Sequence, residues 1–245
     1  HEVELSGFGT EKIEEDMSLI YPEAKVARMD LETTRSKNAY QNIITDFEDK
    51  KIDILVGTQM VTKGLDFENV SLVGVLNADQ SLNFQDFRAH ERSYQLMSQV
   101  AGRAGRNTKQ GLVVIQTYQP DHPIIQQVIK GDYFGMYERE LELRKEFEYP
   151  PFHKLIKVVL KHANKDKLVD SAQMFADVLK SSFGSRVLGP EFPGVPRVRN
   201  KYINQIFLKV EDVASIKSVK DIVTDSIYSF RQNKEYRPVQ ILIDV

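Results

Sequence analysis

The chain has 245 residues, 41% of them hydrophobic and 28% charged, with no Cys and no Trp. This composition suits one large or two ordinary folded domains and excludes wholesale disorder or a fibrous repeat. Zero Cys also excludes a disulfide scaffold and any thiolate-bound zinc or iron–sulfur cluster within these residues. No apolar run reaches the roughly 20 residues of a membrane span. The opening His1-Glu2-Val3-Glu4-Leu5 has neither a signal-peptide pattern nor an initiator Met, so a fragment of a longer protein is expected. The net charge of −2 hides an asymmetry: residues 1–150 carry 17 Lys or Arg against 25 Asp or Glu (−8), and residues 151–245 carry 16 against 10 (+6). A basic part joined to an acidic one suggests that the second part meets a polyanion, although chance surface composition gives the same numbers.

The first part alternates helical and strand-like runs. Glu11–Ile20 reads as a helix with Thr10 as N-cap, followed by a short strand at Lys25–Met29. Ser36–Asp49 is an amphipathic helix with Tyr40, Ile43, Ile44 and Phe47 on one face. Asp53–Gly57 and Ser71–Leu76 read as buried strands, Gly111–Thr117 as another apolar strand, and Asp86–Gly102 as a helix. Strands separated by helices imply a parallel α/β sheet, with ligands gathered beyond the strands' carboxyl ends. A long helix is expected from Pro123 to Phe147. Tyr149-Pro150-Pro151-Phe152 then stops it, which sets the domains at 1–148 and 149–245. The remainder reads as strand 154–161, helix 167–182, a short strand near 186–188, a Pro/Gly-rich loop 189–196, strand 202–210, helix 213–230 and strand 239–245. This β-α-β-β-α-β pattern resembles a small ferredoxin-like α+β sandwich.

Two segments carry chemistry. In Gln99-Val-Ala-Gly102-Arg103-Ala-Gly105-Arg106, two arginines three apart at a helix end face nearly the same way, and planar guanidinium forks suit phosphate oxygens. A helix C-cap is the bland alternative. The complete Gln-x-x-Gly-Arg-x-Gly-Arg run resembles motif VI of superfamily 2 helicases. Gly57-Thr58-Gln59-Met60-Val61-Thr62-Lys63-Gly64-Leu65-Asp66-Phe67 directly follows a strand. Its hydroxyls and Lys suit a phosphate backbone, and Asp66 suits a ribose; an ordinary βα loop with a capping Thr is the alternative. This stretch resembles motif V of the same helicases, in the expected order and spacing.

With these motifs in place, essentially all of the chain resembles the C-terminal part of the PriA family of primosomal replication-restart helicases. Gly7-Phe-Gly-Thr10-Glu11, Arg28-Met-Asp30-Leu-Glu32-Thr33 (Glu32 where the family has Asp), Ile54–Gly64, Asp86–Arg92, Leu188-Gly-Pro190 and Tyr202-Ile-Asn-Gln205 all look like family segments. The resemblance implies a second RecA-like helicase lobe carrying motifs IV, V and VI, followed by a DNA- and partner-binding domain. It implies phosphate-facing roles for Arg103, Arg106 and Gln99, nucleotide contacts at Gly64, Asp66, Gly102 and Gly105, and DNA contacts at Thr58, Thr62 and Lys63. Neither a Walker A loop nor Asp-Glu-x-His occurs. In the family these belong to a first motor lobe, so the ATP and Mg²⁺ site is expected to be completed outside these residues, and the chain alone is expected to hydrolyse no ATP. The family's zinc module is likewise expected outside the chain; scattered histidines give no metal site here. The implied setting is the bacterial cytoplasm and nucleoid, with branched and single-stranded DNA, the acidic tail of single-stranded DNA-binding protein and other primosome proteins as partners, and no membrane.

Weaker signals lie in the second part. Arg197, Arg199 and Lys201 flank a Pro/Gly loop beside Tyr202, a mixture that suits single-stranded nucleic acid but also an ordinary solvated loop. Lys217 and Lys220 share a helix face that suits an acidic partner peptide or simply solvent. Three other readings stay open: another superfamily 2 translocase such as a fork-reversal helicase, a non-catalytic DNA- or protein-binding module, and an unrelated α/β nucleotide-binding enzyme.

Overall fold

The computed structural model describes residues 9–36, 38–62, 70–102, 104, 111–211 and 216–244. They fall into two compact units, one of residues 1–82 and 92–132, the other of 83–91 and 133–245.

In the first unit the described elements are α1 (Thr10–Ile20), β1 (Val26–Met29), α2 (Ala39–Glu48), β2 (Ile54–Gly57), β3 (Leu72–Val75), α3 (Ala78–Leu82), most of α4 (Ala89–Ala101), β4 (Leu112–Ile115) and α5 (Pro123–Lys130). Among the described residues the parallel sheet takes the form of two separate two-stranded pairs, β1 with β2 and β3 with β4. Met29 lies opposite Gly57, and Val75 opposite Ile115. The apolar stripe of α2 lands as its spacing requires: Ile44 and Met29 are buried, with Tyr40, Ile43, Phe47, Leu55 and Val61 packed around them. The expectation of a buried strand fails for β3, where Leu72 is exposed; its partner β4 likewise exposes Leu112 and Val114. Thr10 is the first helical residue rather than the cap. Gly9 occupies the cap position, and the Thr10 hydroxyl is drawn away to Asp30.

The long helix expected from 123 to 147 is two helices. Gly131 adopts a left-handed φ of 65° and closes α5, and the Asp132 N–H donates to the Gln127 carbonyl at 2.8 Å. The pattern is a Schellman stop, which glycine permits without a Cβ penalty. Helix α6 (Tyr133–Glu146) belongs to the second unit.

The rest of the second unit runs β5 (His153–His162), α7 (Lys165–Phe183), β6 (Val187–Glu191), β7 (Arg197–Val198), β8 (Lys201–Glu211), α8 (Ile216–Gln232) and β9 (Gln240–Asp244). The strands form one antiparallel sheet in the order β6-β8-β5-β9, with β7 hairpinned onto the start of β8. Ten consecutive pairs, from His153 opposite Glu211 to His162 opposite Tyr202, bind β5 to β8. Ile156, Val158 and Leu160 of β5 and Ile206, Leu208 and Val210 of β8 are buried with Phe175 and Leu179 of α7 and Val223 and Phe230 of α8 in one core. Asn164 caps α7 by accepting from the Lys167 N–H at 2.9 Å.

Candidate phosphate and nucleic-acid interface

In the first unit the carboxyl ends of β1 and β2 lie side by side, because Met29 and Gly57 are register partners. Each strand leads into a tight turn. After β1, the Asp30 carboxylate accepts the Thr10 hydroxyl at 2.6 Å and the Glu32 and Thr33 N–H groups at 2.9 Å each. The Thr10 hydroxyl and the Thr33 N–H hold the Asp30 carboxyl down, to about 2, against its burial. Arg28, almost buried, has its Nε 3.4 Å from Glu14 and 3.5 Å from Asp30, with Glu32 3.6 Å from its Nη2. That Nε lies within ion-pair distance without hydrogen-bond geometry. Arg28, Asp30 and Thr33 of the expected motif are therefore brought together in one turn, with Glu32 serving the position through both its backbone and its carboxylate.

After β2, Thr58 leads into a 3₁₀ turn at Gln59–Thr62. Gly57 is sterically required there: a Cβ would stand 2.1 Å from Val61 Cγ2 and 2.7 Å from the Met29 carbonyl. The chain thus leaves the strand at a sharp bend that sets exposed Thr58 at the carboxyl edge. Lys63, Gly64 and Asp66 lie outside the described residues, as do Arg103, Gly105 and Arg106.

Helix α4 brings the other motif as far as Gln99 and Gly102, both exposed at or just past its last turn. Gly102 closes the helix through its N–H to the Ser98 carbonyl at 3.0 Å. It does not take the left-handed φ of a glycine C-cap, and a Cβ there would meet only ordinary contacts. Among the described residues no packing explains this glycine.

In the second unit, Arg197 and Lys201 stand on the β7–β8 hairpin, whose tip, Arg199-Asn200, has φ of 48° and 61°. Positive φ at both central residues is the turn that matches strand twist. Tyr202 packs on the core edge, and the Arg197 guanidinium lies 5.0 Å from its ring centroid. Arg197 and Tyr202 thus meet across the hairpin, while Arg199 lies at its tip and Lys201, one residue from Tyr202, alternates to the other face. Lys217 and Lys220 point to solvent on α8, opposite buried Val219.

Sequence reasoning missed several residues. Asp79, nearly buried, accepts the Tyr118 N–H at 2.9 Å and the Thr117 hydroxyl at 3.0 Å. The Tyr118 N–H is the main force holding its carboxyl below the usual range. Asp79 thereby staples α3 to the loop after β4, and the only signal was an acid just past a strand. The alternation of Leu155, Lys157, Val159 and Lys161 with buried Ile156, Val158 and Leu160 was legible as a period of two. Among the described residues no group of three or more His, Cys, Asp or Glu is placed to hold a metal ion. No described helix is long and apolar enough to cross a membrane.

Residues 8–108 match the family model of the helicase conserved C-terminal domain. Residues 145–245 match that of the primosomal protein N C-terminal domain. Over 245 residues the chain is 38% identical to replication restart protein PriA of Bacillus subtilis, covering 99% of this chain and 30% of that protein. It is 37% identical over 228 residues to PriA of Synechocystis (91% and 27%) and 40% identical over 215 residues to PriA of Treponema pallidum (87% and 33%). The chain spans about a third of the length of these relatives and belongs to the PriA family as its C-terminal region.

Proposed function

We propose that this chain is the second motor lobe and C-terminal domain of an ATP-dependent 3′-to-5′ DNA helicase that acts at stalled or abandoned replication forks and seeds reassembly of the primosome. The observation that carries this reading is the tandem of a helicase C-terminal match and a primosomal-protein match along one chain, with Gln-x-x-Gly-Arg-x-Gly-Arg at the end of α4. The domains are read as a RecA-like lobe over 1–148 and a ferredoxin-like domain over 149–245. The strand order β6-β8-β5-β9 and the β-α-β-β-α-β succession support the second.

When bound between this lobe and another, ATP with Mg²⁺ supplies the free energy of phosphoryl transfer. Arg103 and Arg106 then present guanidinium forks to the phosphate oxygens from this side, with Gln99 of the same motif beside the phosphates. Thr58, Thr62 and Lys63 hold the backbone of the translocating strand at the carboxyl edge of β2, without reading sequence. Arg197, Arg199, Lys201 and Tyr202 add single-strand contacts in the basic second domain, and Lys217 and Lys220 offer charges to the acidic tail of single-stranded DNA-binding protein. The zinc module of the family is assigned to residues beyond these. The protein is placed in the bacterial cytoplasm, at the nucleoid.

The test is hydrolysis. In the full-length protein Arg106→Lys should lower kcat at saturating ATP and DNA by at least about tenfold, because a point ammonium cannot reproduce a planar fork. The 245-residue chain alone should turn over no ATP. Near-normal kcat with Lys, or turnover by the chain alone, would overturn the assignment.

A further inference from the structure

The antiparallel sheet of the second unit has two chemically different faces. The core side is closed by α7 and α8. Side chains alternate along a strand, so the opposite face carries Leu155, Lys157, Val159 and Lys161 of β5 with Phe207 and Lys209 of β8. None of these six is buried. Lys157 is the register partner of Phe207, and its ammonium stands 5.5 Å from that ring's centroid, so both project from the same face. Leu188 of β6 continues the row on one side of Phe207 and is 39% exposed. One row away, Leu242 of β9 lies beside Val159 and is 51% exposed.

Lysines outnumber acids on this face, where Asp244 is the register partner of Lys157 and Glu211 that of His153. Lys157 and Lys161 join no ion pair among the described residues. Lys209 is engaged with the Phe147 carbonyl and the Tyr149 ring. The acids nearby are Glu191, which accepts from Gln205 at 2.8 Å, and Asp244 at the sheet edge opposite Lys157. A half-buried aromatic ring flanked by Lys157 and Lys161, on a largely apolar face, matches a base with a phosphate on either side. A double helix keeps its bases stacked internally and offers such a ring nothing. Four strands span about 14 Å, room for two or three nucleotides.

We propose that this open sheet face binds single-stranded DNA, with a base stacked on Phe207 and the flanking phosphates on Lys157 and Lys161. On binding, the Lys157 ammonium leaves the Phe207 ring for a phosphate. A weak exposed cation–π contact is exchanged for a stronger base–aromatic stack and a charge pair. The site is distinct from the β7–β8 hairpin, though it rests on the reading of this unit as a nucleic-acid binder.

The experiment uses the 245-residue chain and a labelled oligothymidylate of about 12 nucleotides, followed by anisotropy. Phe207→Ala should weaken binding roughly tenfold or more and leave a duplex of equal length unaffected. Lys157→Ala and Lys161→Ala should each flatten the log–log salt dependence by about 0.7. The chain has no Trp, so Phe207→Trp installs a single reporter that keeps the bulk of the ring. Emission from the introduced indole should be quenched by the oligonucleotide. No quenching in Phe207→Trp with full binding elsewhere would overturn the proposal, as would equal quenching by an acidic peptide, which would make the face a peptide dock. The triple change Arg197→Ala, Arg199→Ala and Lys201→Ala separates the two sites. Loss with the triple variant but not with Phe207→Ala sinks the sheet site and keeps the hairpin; the reverse keeps the sheet site and sinks the hairpin; no loss with either sinks both.

Discussion

Phe87 and Tyr149 stack nearly parallel, with ring centroids 5.2 Å apart and planes 5° from coincidence. The Arg144 and Arg88 guanidinium groups lie 5.2 and 5.0 Å from the Phe87 ring centre, and the Lys209 ammonium lies 4.4 Å from that of Tyr149. Beside the stack Arg144 binds Glu91 at 2.6 Å, and His90 meets the buried Glu140 at 3.0 Å. The two rings are remote in sequence, yet this cluster ties the segment before and into α4 to α6 and to the entry of β5.

Phe87→Leu keeps the apolar bulk and removes the stack and both cation contacts. An aromatic pair contributes about 0.5–1.5 kcal/mol beyond its area, which at this size is a fall in Tm of about 1–6 °C. Calorimetry or dye-based melting of the 245-residue chain reads it. An unchanged Tm would show that the stack forms without stabilising the unit.

Asp30 makes the stability of the first unit sensitive to acid. Its carboxyl is held at about 2 in the folded chain against an ordinary 3.8. A lowered folded-state value stabilises the fold above the unfolded value, and that contribution is lost as pH falls through the folded one. Asp30→Asn should therefore be less stable than the parent at neutral pH, and the gap should close between about pH 4 and about pH 2. A gap that stays constant across that window would refute the ionic role.

The periodic parts of the fold were legible before any coordinates. The stripe Tyr40, Ile43, Ile44 and Phe47 on α2 gave that helix and its inward face, and strands at 154–161 and 202–210 were located as β5 and β8. What escaped was set by single residues in unusual backbone states or by distant partners. Gly131 breaks a helix whose apolar pattern on both sides reads as continuous; Lys130-Gly131 was the available stop signal. Thr10 looked like a cap because local sequence cannot show that Asp30, twenty residues away, claims its hydroxyl. At the interface, Thr58 and Gln99 lie on a strand-to-loop turn and a helix end that the sequence located; the short β7 strand that makes a hairpin of Arg197 and Tyr202 was read as loop, and the Phe87 cluster depends on contacts between residues remote in sequence.

Gly57→Ala should be one of the more damaging small substitutions in the chain. The added methyl must displace Val61 or push β2 from the Met29 carbonyl. Overpacking of this kind typically costs about 1–3 kcal/mol. Urea titration of Gly57→Ala beside Gly74→Ala, where a Cβ meets open space, separates crowding from the general effect of replacing a strand glycine. Equal losses at both sites would remove the steric explanation.

Lys63→Ala in the full-length protein should raise the DNA concentration needed for half-maximal ATPase about three- to tenfold, and to a similar degree on sequences of different base composition, because a backbone contact carries no sequence information. ATP binding without DNA should be unchanged. An unaltered DNA dependence would remove Lys63 from the interface.

The ten-pair ladder between β5 and β8 constrains how the length of this region can vary. Deleting one residue inside β8 would slide every later side chain to the other face, sending Phe207 and Lys209 inward and Leu208 and Val210 into water. Odd-numbered insertions or deletions within this strand are therefore barred, while the tip at Arg199-Asn200 tolerates changes that preserve pairing on either side. Sequences that keep this fold should differ in length at the hairpin tip or in the 192–196 loop, and keep the spacing from Lys201 to Glu211. That uneven tolerance is a property of the ladder and would hold whatever the sheet binds.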